Sequence, residues 1–208
     1  MSERPRQTSE AGWSPRTKIG KLVQEGKITS LEEILKQGKR ILEPEIIDVL
    51  LPKLQERVLG ISLVQKQTDA GERSRFKAVV AIGEEGYIGL GLGKANQVRT
   101  AISKAVAQAK LSVIPVRRGC GSWECRCNLP HSLPFKIEGK CGSVSVEMHP
   151  GPRGLGLVGG EVVKTILGVT GIRDCWTRTF GSTNTLTSIA CAIYNALRDS
   201  NTMTTATD

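Results

Sequence analysis

The sequence predicts an α+β protein: a short helical extension followed by two sheet-and-helix units. Three observations predict it. Residues 73–83, RSRFKAVVAIG, alternate charged and apolar side chains with the period of two that marks a strand. A helix-period stripe of small apolar residues follows from about Lys94 to Leu111. A second strand-then-helix succession fills the C-terminal half. It ends on a helix with Leu186, Ile189, Ala190, Ile193, Tyr194 and Leu197 on one face.

Residues 1–15 are polar and hold two prolines, which predicts a mobile arm. Trp13 is either its anchor or packed on the body of the chain. Residues 16–57 predict an all-helical extension. Ser30 and Glu33 form a capping box ahead of LEEILKQG, and Gly38 closes that helix. Pro44 suits the first position of a second helix, EIIDVLL, which Pro52 limits. Neither helix is long enough to stand alone in water, so each must dock.

Residues 58–111 predict a compact unit. VLGISLVQKQ is a strand, TDAGE a turn containing Gly71, and RSRFKAVVAIG the second strand. Phe76, Ala78, Val80 and Ile82 face one way, and Arg73, Arg75 and Lys77 the other. GEEG turns the chain into a third strand, YIGLGLG. In the helix that follows, Ala95, Val98, Ala101, Ile102, Ala105 and Ala109 recur at helical spacing, and the alanines permit a close seat on the sheet. A three-stranded sheet followed by a helix, with a helix before it, matches the outline of a double-stranded-RNA-binding-type domain.

Residues 112–200 predict a second α+β unit. LSVIPV is a strand that begins just before it. A Cys- and Gly-rich loop runs from Arg117 to Pro134, and FKIEG and GSVSVEM are paired strands. PGPRGLGLVGG is a loop, EVVKTILGVTG a helix, IRDCWTRTFG an extended piece, and the last helix starts near Thr183. Residues 201–208 are expected to fray.

The 208 residues carry a net charge of +9. It is unevenly placed: residues 1–57 contribute +2, residues 58–120 contribute +6 and residues 121–208 contribute +1. Such a concentration points to an acidic partner, most often nucleic acid. No apolar run is long enough to span a bilayer, and the N-terminus lacks an apolar signal core, so a cytosolic protein with reduced thiols is expected.

Arg73, Arg75 and Lys77 on one strand face, with Lys66 on the neighbouring strand, suit phosphate contacts. A solvated strand face is the plain alternative. GLGLVG at 154–159 has the form of a dinucleotide fingerprint, with Asp174 at about the distance of a ribose-binding acid. Pro150, Gly151 and Pro152 interrupt the required strand-to-helix turn, and too little chain follows for a doubly wound sheet. GLGLGKA at 89–95 lacks the Ser/Thr of a phosphate loop, since Ala95 stands there, and Ile88 replaces its first Gly. Both stretches are read as places of close backbone approach. Gly159 and Gly160 could still offer amides to a backbone phosphate. The segment GCGSWECRCNLPH supplies Cys120, Cys125, Cys127 and His131, with Cys141 shortly after. Four of these five could hold a tetrahedral zinc ion, the fourth ligand being His131 or Cys141. The alternative is a set of small buried thiols. Cys175 and Cys191 sit on apolar patterns and are read as core. No nucleophile–base or acid pair supports catalysis.

The segments VQKQTDAGERSRFKAVVAIG, GLGLGKANQVRTAISKAVAQAKLSVIPVRRG, GKCGSVSVEMHPGPRGLGLVGGEVVKTILGVTGIRD and GSTNTLTSIACAIYNALRD occur in an order and spacing that resemble the fifth small-subunit ribosomal protein family. The resemblance covers roughly residues 13–200. The extension, QKQTDAG and RRGCGSWEC look archaeal or eukaryotic, and the cysteine loop more archaeal. PGPRG departs from the more frequent PAPRG. The resemblance implies a double-stranded-RNA-binding-like domain, then a C-terminal domain of a fold shared with several phosphotransferases but without catalysis. It implies binding to small-subunit rRNA in the cytoplasmic ribosome, beside the S-four and S-eight families. It also implies a position near the mRNA entry channel and a role in decoding accuracy. The family's basic hairpin maps onto Lys66 through Lys77. The candidate RNA contacts are therefore Lys66, Gln67, Arg73, Arg75 and Lys77, with Lys94, Arg117, Arg118 and Arg153 beyond the hairpin. A free RNA-binding regulator and a small-molecule kinase-like domain are the competing readings.

Overall fold

A computed structural model describes residues 13–36, 38–125, 127 and 129–202. Most of the predicted arm and all of the tail after Thr202 lie outside the described residues. Within them the chain forms two compact units that divide after Pro52.

The first unit holds three short helices, α1 (Lys18–Gln24), α2 (Leu31–Lys36) and α3 (Glu45–Leu50). Thr17 caps α1 by accepting the Gly20 N–H at 3.1 Å. The Glu43 carboxylate accepts the Arg16 and Thr17 N–H groups, both at 2.8 Å, and so ties the entering chain to the segment before α3. α1 packs against α3, and Val23, Ile34, Ile46 and Ile47 are buried. The helical segment ends earlier than expected: Gln55, Glu56 and Arg57 already belong to the first strand.

The second unit contains two four-stranded sheets. In the first, β1 (Gln55–Thr68), β2 (Gly71–Glu84), β3 (Tyr87–Ala95) and β4 (Ile114–Pro115) pair in chain order, all antiparallel. Strand β4 is the kernel of the predicted LSVIPV strand, and it pairs with Tyr87 and Ile88 of the first sheet. The helix α4 (Val98–Leu111) begins later than expected, because Lys94 and Ala95 finish β3. Ala78, Val80 and Ile82 of β2 pair with Gly93, Gly91 and Gly89 of β3, so these residues share one face. That face lies under α4 at backbone distance. A Cβ on Gly91 would sit 2.0 Å from the Ala105 carbonyl oxygen, which no neighbour could relieve. Glycine on the strand and alanine on the helix are thus two halves of one close contact.

Burial along β2 does not alternate as predicted but changes along its length: residues 71–75 are exposed on both faces. From Ala78 to Ile82 both faces are buried. Val79 and Ala81, on the face carrying Arg73, Arg75 and Lys77, join the main core with residues from the C-terminal half. On that face the C-terminal half covers Val79 and Ala81, while Arg73 and Arg75 stay exposed.

The second sheet runs β5 (Ile137–Cys141), β6 (Val144–Pro150), β8 (Cys175–Phe180), β7 (Leu157–Val158), with only β7 and β8 parallel. Helices α5 (Glu161–Val169) and α6 (Leu186–Thr202) cover one side. Val144, Val146, Met148, Ile166, Leu167, Ile193 and Leu197 fill the space between. Tyr194 binds this layer to the first sheet's exit, its hydroxyl donating to the Ser112 carbonyl at 2.7 Å.

Candidate nucleic-acid interface and metal centre

Strand β3 pairs with β2 only from Phe76 onward. The last five residues of β1 and the first five of β2 therefore project as a two-stranded hairpin, about 17 Å long. A tight turn at Asp69 and Ala70 joins them, and Gly71 adopts φ +109°. Among the described residues strand β1 pairs with β2 alone, and it is exposed along most of its length, including Ile61 and Leu63.

Register places the cations. Lys66 stands directly opposite Arg73, and Lys77 directly opposite Lys94. With Arg75 between them, five cations share one face of the sheet. Like charges paired across strands are destabilising, by a few tenths of a kcal/mol up to about 1. The free protein thus tolerates repulsion that a polyanion would relieve. Gln67 is on the reverse face, opposite Glu72. There Gln65 donates to Glu72 at 3.0 Å and to Ser74 at 3.3 Å.

Arg75 and Lys94 also line a cleft of about 470 Å³ at the N-terminus of α4, with Asn96, Gln97, Thr100 and Lys104. Lys104 was not among the sequence-derived candidates, because its position on the helix surface gave no sign of which strand it would meet. Lys77 lines a separate cleft with Gly60, Ser62, Asn184 and Thr187. Arg118 is turned inward: its guanidinium is 3.6 Å from Glu85 and lies against Gly171. Arg117 is half-buried, and Arg153 is exposed on the loop before β7.

The cysteine loop forms a second cluster. The sulfurs of Cys120, Cys125 and Cys127 and a ring nitrogen of His131 lie within 4.8 Å of one another. Cys125 Sγ is 3.2 Å from Cys127 Sγ and 3.8 Å from His131 Nε2. A tetrahedral zinc ion with bonds of about 2.0–2.3 Å needs ligand atoms at about this separation, so the cluster can hold a metal. Cys141 is not part of it; it stands at the end of β5 beside Cys191 of α6. The Cys125 thiol is drawn down to about 6, chiefly by the neighbouring Cys127 and next by the Arg153 backbone N–H. Partial burial pushes Cys120 up. Cys175 is a core thiol, pushed up to about 12 by burial. Trp123, at the tip of the loop, is 89% exposed.

Asp174, which the Gly-rich pattern suggested as a ribose ligand, has a different position. It is buried, and its Oδ2 lies 2.8 Å from His131 Nδ1. Its Oδ1 accepts the Gly154 and Gly156 N–H groups at 3.1 and 2.8 Å. The amides that a dinucleotide phosphate would need are therefore taken up inside the protein. A lone acid between Ile172 and Cys175, both buried, was the only local signal of this. A Cβ on Gly151 would meet mainly the flexible end of Leu155, consistent with an alanine being tolerated there.

A family model described as the ribosomal protein S5 N-terminal domain matches residues 54–117. A second, the ribosomal protein S5 C-terminal domain, matches residues 139–207. The small ribosomal subunit protein uS5 of Pyrobaculum islandicum is 56% identical over 188 residues, covering 90% of this chain and 93% of that protein. The protein of the same name from Ignicoccus hospitalis is 56% identical over 187 residues, covering 89% of each. The one from Methanocaldococcus jannaschii is 53% identical over 190 residues, covering 91% of this chain and 88% of its own. Matches to both domains in order, and relatives that align over nearly the whole chain, establish that this protein belongs to the ribosomal protein S5 (uS5) family.

Proposed function

We propose that the protein is a structural, non-enzymatic constituent of the small ribosomal subunit, which binds the subunit's rRNA through the β1–β2 hairpin and the cleft at the start of α4. The observation that carries the RNA contact is the pair of opposed cations, Lys66 with Arg73 and Lys77 with Lys94. Phosphates between them would turn repulsion into attraction. Gln67 would serve from the reverse face, Arg153 from its loop and Arg117 from the base of the cysteine loop. Arg118 would act mainly by holding the loop base. On this reading the protein works in the cytoplasmic ribosome, with members of the S-four and S-eight families as neighbours and mRNA near its entry channel, and it supports decoding accuracy. The exposed apolar residues of β1 fit an edge that an assembly covers.

Its cofactor is a zinc ion held by Cys120, Cys125, Cys127 and His131. Four protein ligands leave no open position, so the ion is structural.

Tagged protein expressed in cells should co-sediment with small subunits. The purified protein should bind structured RNA with a log–log salt slope of about −3 or steeper, roughly one unit per phosphate met by the hairpin cations. Salt-independent binding, or absence from small subunits, would overturn the assignment. Metal analysis under reducing conditions should find about one zinc per chain, lost in Cys125→Ser with Cys127→Ser.

A further inference from the structure

Granted a metal at the cysteine cluster, the surroundings of His131 extend the site beyond its four ligands. His131 presents Nε2 to the sulfurs and Nδ1 to Asp174. A metal-bound imidazole is commonly fixed in tautomer and orientation by such a carboxylate. Here the same carboxylate has a second task. Its other oxygen holds the amides of Gly154 and Gly156, both at positive φ, which form the turn of the Arg153 loop. A further strand of contacts runs alongside. The Arg153 backbone N–H points to the Cys125 sulfur. The His131 carbonyl accepts the N–H groups of Arg173 and Asp174, at 2.9 and 3.2 Å. The Ser132 hydroxyl donates to the Asp174 carbonyl at 2.5 Å and accepts from Gly151 N–H at 3.1 Å.

Three segments distant in sequence thus converge on one point: the cysteine loop, the loop after β6, and the turn before β8. Beyond β7, which pairs with β8 from Leu157 on, residues 153–156 have few other ties: the Leu155 N–H donates to the Pro152 carbonyl at 3.3 Å and the Gly156 carbonyl accepts the Cys175 N–H at 3.2 Å. Arg153 and Gly154 are exposed, and a Cβ on Gly154 or Gly156 would meet nothing within 4 Å. We propose that Asp174 is a positioning residue that couples the metal centre to residues 153–156, so that metal occupancy sets the order of the loop presenting Arg153. This rests on the zinc reading above. The chemistry is consistent in charge. Three thiolates and a neutral imidazole around a divalent cation leave one net negative charge. An Nδ1–H that stays on the ring and donates a hydrogen bond to Asp174 leaves Nε2 as the acceptor nitrogen for the metal.

Hydrogen exchange on the full-length protein, with zinc and after chelation, tests the coupling. Amides of residues 153–156 should exchange at least about tenfold faster without the metal, while those of β2 and β3 keep their rates. Unchanged protection at 153–156 overturns the coupling, and so does loss of protection throughout the chain, since the metal would then hold the whole fold. Cobalt(II) as the probe addresses Asp174. Asp174→Asn should weaken cobalt binding by about 10- to 100-fold and leave the thiolate-to-cobalt absorption bands in place. Equal affinity removes Asp174 from the site. If the variant fails to fold, the chelation experiment on the unaltered chain still decides the question. A wild-type protein that binds neither zinc nor cobalt overturns the zinc reading itself, a result distinct from metal binding without a response at 153–156.

Discussion

The hairpin overhang and the cysteine loop both leave the body of the protein with little apolar cover, yet different forces hold them. In the overhang, main-chain pairing runs unbroken from Val64–Arg75 to Thr68–Gly71, and side chains are free to carry charge. In the loop, Trp123 and Leu129 are exposed, and the described backbone is ordered by scattered bonds, the bridge between Gly119 and Ser132, Gly121 N–H to the Leu133 carbonyl and Cys125 N–H to the Ser122 carbonyl, rather than by a ladder. A ladder of hydrogen bonds spends the backbone's polar groups on itself, so the hairpin can afford cations facing cations. An irregular loop has no such ladder and must be tied through side chains, here Cys120, Cys125, Cys127 and His131 with Asp174 behind them. The difference shows two ways of presenting a rigid polar surface without a core beneath it.

The largest expected contrast is in thiol chemistry. In metal-free protein at pH 7, Cys125 should be alkylated at least about a hundredfold faster than Cys175, which is buried and rarely ionised. The sign is set by the lowered Cys125 value: its rate should fall as pH drops through about 6 and level off above it. Zinc should protect Cys125 and leave Cys175 unchanged. Mass spectrometry of labelled peptides checks this, and an inert Cys125 in metal-free protein would remove the chemical basis of the loop's tie.

Reversing charge on the hairpin comes next. Arg73→Glu with Arg75→Glu should reduce RNA affinity by about ten- to a hundredfold at moderate salt, flatten the salt slope by about two units and prevent incorporation into small subunits. Both positions are exposed and Lys66 faces Arg73, so the fold should stay intact and stability should move by no more than about 1 kcal/mol. Normal incorporation would show that the overhang's charges do not meet RNA.

A smaller effect sharpens the claim that backbone geometry orders the hairpin. Gly71→Ala places a side chain at φ +109° with no steric neighbour within 4 Å. It should cost about 1 kcal/mol in chemical denaturation and leave zinc content unaltered. A neutral result would mean that the turn relaxes and that the ladder does not depend on it.

Much of this was legible locally. The period of two in RSRFKAVVAIG follows from strand geometry alone and separates Arg75 from Phe76 with no knowledge of the fold. The glycine and alanine series in GLGLGKA and in the helix after it signalled close approach, and Gly91 lies against Ala105 and Ala109. The spacing of Cys120, Cys125 and Cys127 within one short loop kept three thiols near each other whatever the surroundings. Helix and strand limits drifted where competing partners lay far away. Lys94 and Ala95 carry helical residues' spacing but pair with Lys77 and Phe76, because a ladder partner outweighs weak local propensity.

The sequence by itself therefore determined the alternation of the hairpin, the placement of positive charge in residues 58–120, the clustering of three cysteines, and, through its resemblance to known chains, the family. Only the tertiary structure decided which side chain joins those cysteines. His131 and Cys141 were equal candidates by spacing, and the sheet carries Cys141 away to Cys191 while Asp174, 43 residues along the chain, meets His131. The tertiary structure also decided that Val79 and Ala81 face a core, and that the amides of Gly154 and Gly156 turn inward to a carboxylate. The reason is physical: periodicity and turn chemistry act between neighbours in sequence, whereas burial and ligand geometry depend on which distant segments are packed together.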